Sequence, residues 1–322
     1  MLRACGADNY VPVDTPLKPG KRLTVRDCPS FIDPTLQRRY RMILGFIGFM
    51  VQMTRPDLAF AYCELSKFLS CPGQVHMTQA ERCLAYIKGT IDYGITYDRP
   101  KYPSKVNRLE AFVDSDYAAD PDTRRSVTGY LIILNNGPVA WKSKRQSCVT
   151  LSSAEAEFVA ATTCAIETLY LRSLLRGFGH RQPLSTTLWE DNASAIAMAE
   201  NPVAPDKSRH IDTRYYFLRE MDRAHVVKLR KIDTADNVAD ALTKSLPGPT
   251  FTRHISLIMG DNREYLMARP IPTRQPQAPL LPSTCRQSRV PPSSMKEYLN
   301  ATLGPDYDPT PFNHSLILAA AA

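Results

Sequence analysis

Nowhere in the 322 residues is there an uncharged apolar run long enough to cross a bilayer. The longest lies between Arg41 and Arg55, and the closing SLILAAAA is shorter, whereas a spanning helix needs about 20 residues. The opening MLRACGADNY lacks the apolar segment of a signal peptide. Cysteine is present but scattered. Cys5, Cys28, Cys63, Cys71, Cys83, Cys148, Cys164 and Cys285 form no Cys-x-x-Cys pair and no Cys/His cluster at zinc spacing, so a zinc module is excluded. Several sit on apolar helix faces and read as buried reduced thiols. The expectation from these absences is a soluble, cytoplasmic protein.

What is present is enough apolar residue, 43%, to build a packed core, in a length that suits one large or two ordinary domains. The net charge of +8 and a pI near 9.0 are compatible with a polyanionic partner without requiring one.

Composition divides the chain into four. Residues 1–30 are rich in proline and charge and read as an extended leader. Residues 31–100 read as a helical unit. Its first helix runs from Leu36 to Met53, with Gly45 and Gly48 as close-packing positions. A second follows Thr54 as N-cap, with Pro56 at an early helical position, and MTQAERCLAYIKG is a third that stops at Gly89. Residues 101–247 change period. RLEAFVDSDY is a strand, and TGYLIILNNGPVAWKS is two strands around an Asn-Gly turn. SCVTLS reads as a short strand, and SSAEAEFVAATTCAIETLYLRSLLRGFG as a long helix. STTLWED and HVVKLRKI are further strands, with helices NASAIAMAEN and SRHIDTRYYFLREMDRA between them and TADNVADALTKS after. This hairpin-led β-β-β-α-β-α-α-β-α order fits a mixed sheet flanked by helices. Ten of the 26 prolines fall between Pro270 and Pro311, so 248–322 reads as a mostly disordered tail.

Acids recur at element ends in the third segment. Asp114 ends one strand, Asp191 ends another, Glu157 lies early in the long helix and Asp240 lies in the last helix. Four converging carboxylates would repel one another unless divalent cations lay between them. Two Mg²⁺ ions about 3.5–4 Å apart would activate water and stabilise the leaving oxygen of a phosphodiester. Ser152 and Glu155 form the S-x-x-E capping box, which gives Glu155 a structural task. Glu157 lies about 200° around the helix from it and is the better candidate for chemistry. Asp114 and Asp116 share a strand face, so parity does not separate them.

These residues bring a resemblance. VDSDYAAD, RRSVTGYLIIL, PVAWKSKRQSCVTLSSAEAEFVA, LWEDNASAIAMAENP, SRHIDTRYYFLRE and DNVADALTKSLP, in this order, resemble the ribonuclease H domain of copia-type retrotransposon Pol polyproteins. YRMILGFIGFMVQMTRPDLAFAYCELSKF and RCLAYIKGTIDYGITY resemble the segment between polymerase palm and ribonuclease H domain, making 31–100 thumb- or connection-like. Over residues 10 to 260 the resemblance implies a ribonuclease H-like α/β fold, with Asp114, Glu157, Asp191 and Asp240 as catalytic metal ligands. It also implies Mg²⁺ (two ions, Mn²⁺ able to substitute), cleavage of the RNA strand of an RNA–DNA hybrid, a polymerase portion as partner and a virus-like particle as location, with the nucleus as the alternative. Ser152, Ser153 and Asn192, beside the acids, become candidate readers of the 2′-hydroxyl. Lys142, Lys144 and Arg145 become a candidate phosphate patch. His210 reads as a capping or surface histidine, and Trp141 and Trp189 as packed aromatics. Tyr216 stands where the family usually has a second histidine, and the tail does not resemble the family. No Asp-Asp pair occurs, so DNA synthesis by this chain alone is not expected. The alternative function is an inactive fragment that only binds nucleic acid or a partner polymerase. A recombinase of the same sheet type is discounted because its acids run Asp, Asp, Glu.

Overall fold

The structure is a computed structural model. It describes residues 1–97, 108–135, 137–200 and 212–259, with backbone only for 212–215. His210, Asn136 of the expected turn and the chain beyond 259 lie outside the described residues.

Helix α1 (Pro34–Met53) starts where Asp33 accepts the Thr35 amide at 2.8 Å and proline takes the first position. It buries Tyr40, Ile43, Leu44, Ile47 and Gly48 along one stripe. Only Gly48 permits close approach: a Cβ there would meet the Tyr62 ring at 2.8 Å, whereas Gly45 is open. Pro56–Leu58 is a 3-10 turn leading into α2 (Ala59–Ser66), and α3 (Gln74–Gly89) completes the helical unit. The expected side-chain cap from Thr54 is absent, and Arg55 stands at that position. The leader is irregular and packed down, burying Cys5, Ala7, Leu17 and Leu23. Cys28 Sγ lies 2.7 Å from Cys71 Sγ in the connection between α2 and α3.

Five strands follow: β1 (Leu109–Asp116), β2 (Val127–Leu134), β3 (Gly137–Arg145), β4 (Thr186–Glu190) and β5 (Val227–Lys231). Their order is β3-β2-β1-β4-β5. The first three pair antiparallel, and β4 pairs parallel with β1 and with β5. Parallel neighbours require crossovers. These are α4 (Ser153–Gly177), then α5 (Ala193–Glu200) and α6 (Asp212–Arg223). By length and composition α4 could cross a membrane; here it is a core helix. Leu109, Ala111 and Val113 meet Phe158, Ala161, Leu188 and Met221 on the α4 face. Phe112, Leu131 and Trp141 face the helical unit on the other. The period-2 alternation of β1 thus feeds two cores.

The expected ribonuclease H-like mixed sheet flanked by helices is present, with three local corrections. SCVTLS is not a strand. Thr150 and Ser126 share a buried hydroxyl bond at 2.9 Å, and α4 begins at Ser153. TADNVADALTKS is not an α-helix but two 3-10 turns, Thr234–Asp236 and Val238–Leu242. The Asn237 side chain donates to the Val113 carbonyl at 2.7 Å and accepts the Ala239 amide, anchoring the turn to β1. The start of the expected tail is an ordered helix, α7 (Gly248–Met259), which buries Phe251, Ile255, Leu257, Ile258 and Met259. Phe251 packs edge-on to Tyr86 of α3, so α7 returns to the helical unit.

Polar contacts also join the two units. The Trp141 indole donates to the Val51 carbonyl at 2.7 Å, and buried Asp120 pairs with Lys67, just after α2, and Arg145 of β3, both at 3.0 Å. Burial disfavours charge on Asp120, but hydrogen bonds from Lys67 and Thr123 outweigh it and hold the carboxyl well below its usual range.

Candidate active site

Asp114 lies near the end of β1 opposite Gly129 of β2. That glycine has a specific reason: a Cβ there would meet Thr243 Cγ2 at 2.5 Å and Leu242 Cβ at 3.0 Å. Its absence lets the turn Val238–Leu242 and the two residues after it settle onto β1. Asp191 follows the last residue of β4, in register with this level. Glu157 extends from the first turns of α4. One carboxylate oxygen from each of Asp114, Glu157 and Asp191 lies within 4.8 Å of the others. Three of the four expected acids therefore meet.

Asp240 joins them through a lysine. Lys244 Nζ lies 2.9 Å from Asp240 Oδ1 and 3.4 Å from Asp114 Oδ2. Asp114 also accepts a hydrogen bond from the Thr243 hydroxyl. Burial disfavours charge on Lys244, but the Asp114 and Asp240 charges overcome this and raise its pKa.

Glu190 is the acid that the sequence reading passed over. It shares the inward face of β4 with Leu188, is fully buried and binds the Asn192 amide through Oε1 at 3.0 Å. Its Oε2 and the Oε2 of Glu157 are buried without a hydrogen-bond partner among the described residues. Burial, then the neighbouring Glu190, Asp114 and Asp191 charges, push Glu157 up to about 12. Burial raises Asp114 to about 7 against the pull of Lys244. Glu190 is raised far above the usual carboxylate range, again chiefly by burial. Buried carboxylates with unpartnered oxygens are costly unless protonated or bound to a cation. An all-oxygen donor set suits a hard divalent ion such as Mg²⁺. The residues fit the group that the resemblance implies.

The remaining candidates separate by contact. Arg22 of the leader holds Asp116 at 2.7 Å, and Asp116 is not among the three acids whose oxygens meet. Ser152 caps α4 by accepting the Glu155 amide at 3.2 Å. Glu155 reaches back to the Leu151 amide at 2.7 Å, one residue earlier than the capping box prescribes. Ser152 and Ser153 are exposed at the helix start, beside Glu157. Asn192 is committed to capping α5, its Oδ1 accepting the Ser194 and Ala195 amides. Lys142, Lys144 and Arg145 do not form one patch. Arg145 faces the helical unit and pairs with Asp120. Lys142 and Lys144 alternate to the other face, and of the three only Lys144 is exposed. Trp141 and Trp189 are packed, as expected, and Tyr216 is half exposed.

A five-stranded mixed sheet in this order, helices on both faces and acids gathered where β1 and β4 end define a ribonuclease H-like protein. No protein-family model matches the chain. It is 35% identical over 254 residues, 78% of its length, to the retrovirus-related Pol polyprotein from transposon TNT 1-94 of Nicotiana tabacum. It is 33% identical over 247 residues, 77% of its length, to the retrovirus-related Pol polyprotein from transposon RE1 of Arabidopsis thaliana. The chain belongs to the copia-type retrotransposon Pol polyproteins. It spans 19% and 16% of the length of those two relatives. Among solved structures, the ribonuclease H1 LC11 isolated from compost aligns over its whole length with 47% of this chain, at 15% identity and a TM-score of 0.34.

Proposed function

We propose that this chain hydrolyses the RNA strand of RNA–DNA hybrids at a divalent-cation site, leaving a 3′-hydroxyl and a 5′-phosphate. The observation that carries the reading is the meeting of Asp114, Glu157 and Asp191, 34 or more residues apart in sequence, with ligand oxygens within 4.8 Å. Asp114, Glu157 and Asp191 would hold one cation, and Asp240 would complete a second position with Asp114. Mg²⁺ at these positions would lower the pKa of a water and neutralise charge on the leaving oxygen.

The protein's own groups set up that chemistry. Thr243 fixes the Asp114 carboxylate by its hydrogen bond, and the Asn237 anchor fixes the turn that carries Asp240. Burial of Glu157 and Glu190 keeps water away from the far side of the cluster. Ser152 and Ser153, exposed at the α4 start, are the groups we assign to a 2′-hydroxyl. Lys144 takes a backbone phosphate: it lies two strands from β1, about 10 Å away by strand spacing. Acting on a replication hybrid, the chain works in the cytoplasm beside the polymerase portion of a Pol polyprotein.

The test is cleavage of an end-labelled hybrid in Mg²⁺, with Asp191→Asn as control. The expected result is loss of at least 100-fold in rate, on the order of what one electrostatic group contributes. Equal cleavage by both proteins would remove the site.

A further inference from the structure

The carboxylate cluster is asymmetric in a way that the resemblance does not describe. Toward α4 and β4, Glu157 and Glu190 each present a buried oxygen with no hydrogen-bond partner among the described residues. Toward the turn Val238–Leu242, the carboxylate charge is already answered. Lys244 Nζ lies 2.9 Å from Asp240 and 3.4 Å from Asp114, and Thr243 donates to Asp114 from the same side. One half of the cluster presents carboxylate oxygens that no described group answers, and the other half contains a cation that is covalently part of the chain.

We propose that Lys244 is a built-in counter-cation that holds the position between Asp114 and Asp240, so that the free protein takes up one divalent ion and excludes the second. This rests on the reading above that the cluster holds divalent cations. Lys244 can play the part because of its reach. Its side chain is about one-third exposed, with its ammonium inside and a route outward to solvent. An ammonium and a divalent ion cannot share one carboxylate pair at contact distance, because like charges in a partly desolvated site repel strongly. The position Lys244 occupies is set by the fold as well as by attraction. Gly129 admits the turn and Asn237 pins it to β1, so the residue after Thr243 emerges over Asp114. Lys244 is a positioning residue here: it acts on which cations the carboxylates hold.

The experiment counts ions rather than products. The full chain is freed of metal with a chelator and titrated with Mn²⁺ alone, without nucleic acid. Bound ions are counted by calorimetry and by the loss of free-ion paramagnetic signal. The wild type is expected to bind one ion. Lys244→Gln and Lys244→Met are each expected to bind two, or to bind the second at least tenfold more tightly. Lys244→Arg, which keeps the charge, is expected to match the wild type. Circular dichroism of each variant establishes that it is folded, and Lys244→Met preserves the aliphatic stem if the glutamine perturbs packing. A wild type that takes up two ions of similar affinity, or neutral variants indistinguishable from it, would overturn the proposal while leaving the cation site standing. No Mn²⁺ uptake by the wild type, or uptake unchanged by Asp191→Asn, would instead overturn the site itself.

Discussion

Glu190 shows how much a single side chain can report. Its neighbours in β4, Thr186 and Leu188, alternate inward, so Glu190 occupies a core position by strand parity. An acid at a core parity position is a legible signal, and it was hidden by the more familiar aspartate beside it. The raised carboxylates have a pH consequence whose sign is fixed. Unfolded carboxyls titrate near pH 4, whereas folded Asp114 and Glu157 hold protons up to about 7 and about 12. Their contribution to stability is complete below about pH 4 and is lost as pH rises through those folded values. In chelator, the melting temperature is therefore expected to fall as the buffer moves from about pH 5 to about pH 8, and added Mg²⁺ should flatten the slope. A melting temperature that rises over that range would contradict the burial of these groups. Glu190→Gln is expected to stabilise the chelated protein by about 1–4 kcal/mol and to shrink the stabilisation by Mg²⁺. Denaturant melts with and without the ion measure both effects.

Among the elements, the turn Val238–Leu242 sets how well the site is assembled. Its departure from α-helix was not readable from the apolar spacing of VADAL, because the cause lies 124 residues away in the Val113 carbonyl that Asn237 binds. The acids themselves were readable: Asp114, Glu157 and Asp191 sit where strands end and a helix begins. The pairing of Asp240 with Lys244 was readable only as an i,i+4 spacing, and its meaning required knowing that Asp114 lies above it. The helix α7 was readable too, since Phe251, Ile255 and Ile258 recur at helical spacing, but the proline-rich composition downstream obscured it. Gly129→Ala tests the close approach of the turn to β2. A Cβ 2.5 Å from Thr243 Cγ2 forces the turn outward, at about 1–3 kcal/mol. The expected result is a lower denaturation midpoint together with weaker Mn²⁺ binding. Unchanged ion binding in a destabilised Gly129→Ala protein would show that the turn does not position the ligands.

For the molecule as a whole, the helical unit and the sheet share one hydrophobic core, which takes in α1, α2, α3, one face of the sheet and α7. Ending the chain after residue 247 strips Phe251, Ile255, Leu257, Ile258 and Met259 from that core. Each buried apolar side chain of this size contributes about 1.5–3 kcal/mol. The shortened protein is expected to melt on the order of 10 °C lower or more, with amide protons of α3 exchanging faster, as mass spectrometry would detect. Equal melting temperatures would mean that α7 rests on the helical unit without supporting it.

The place of β1 at the middle of the sheet has a consequence for how the chain is made. One of its edges pairs with β2 almost at once, but the other waits for β4, about 70 residues later in synthesis. At ribosomal speed that is roughly 4–14 s, during which an apolar strand edge is open to pairing with other nascent chains. Translation slowed across 117–185 lengthens that window, so aggregation in the cell is expected to depend on elongation rate over this stretch as well as on the stability of the finished fold.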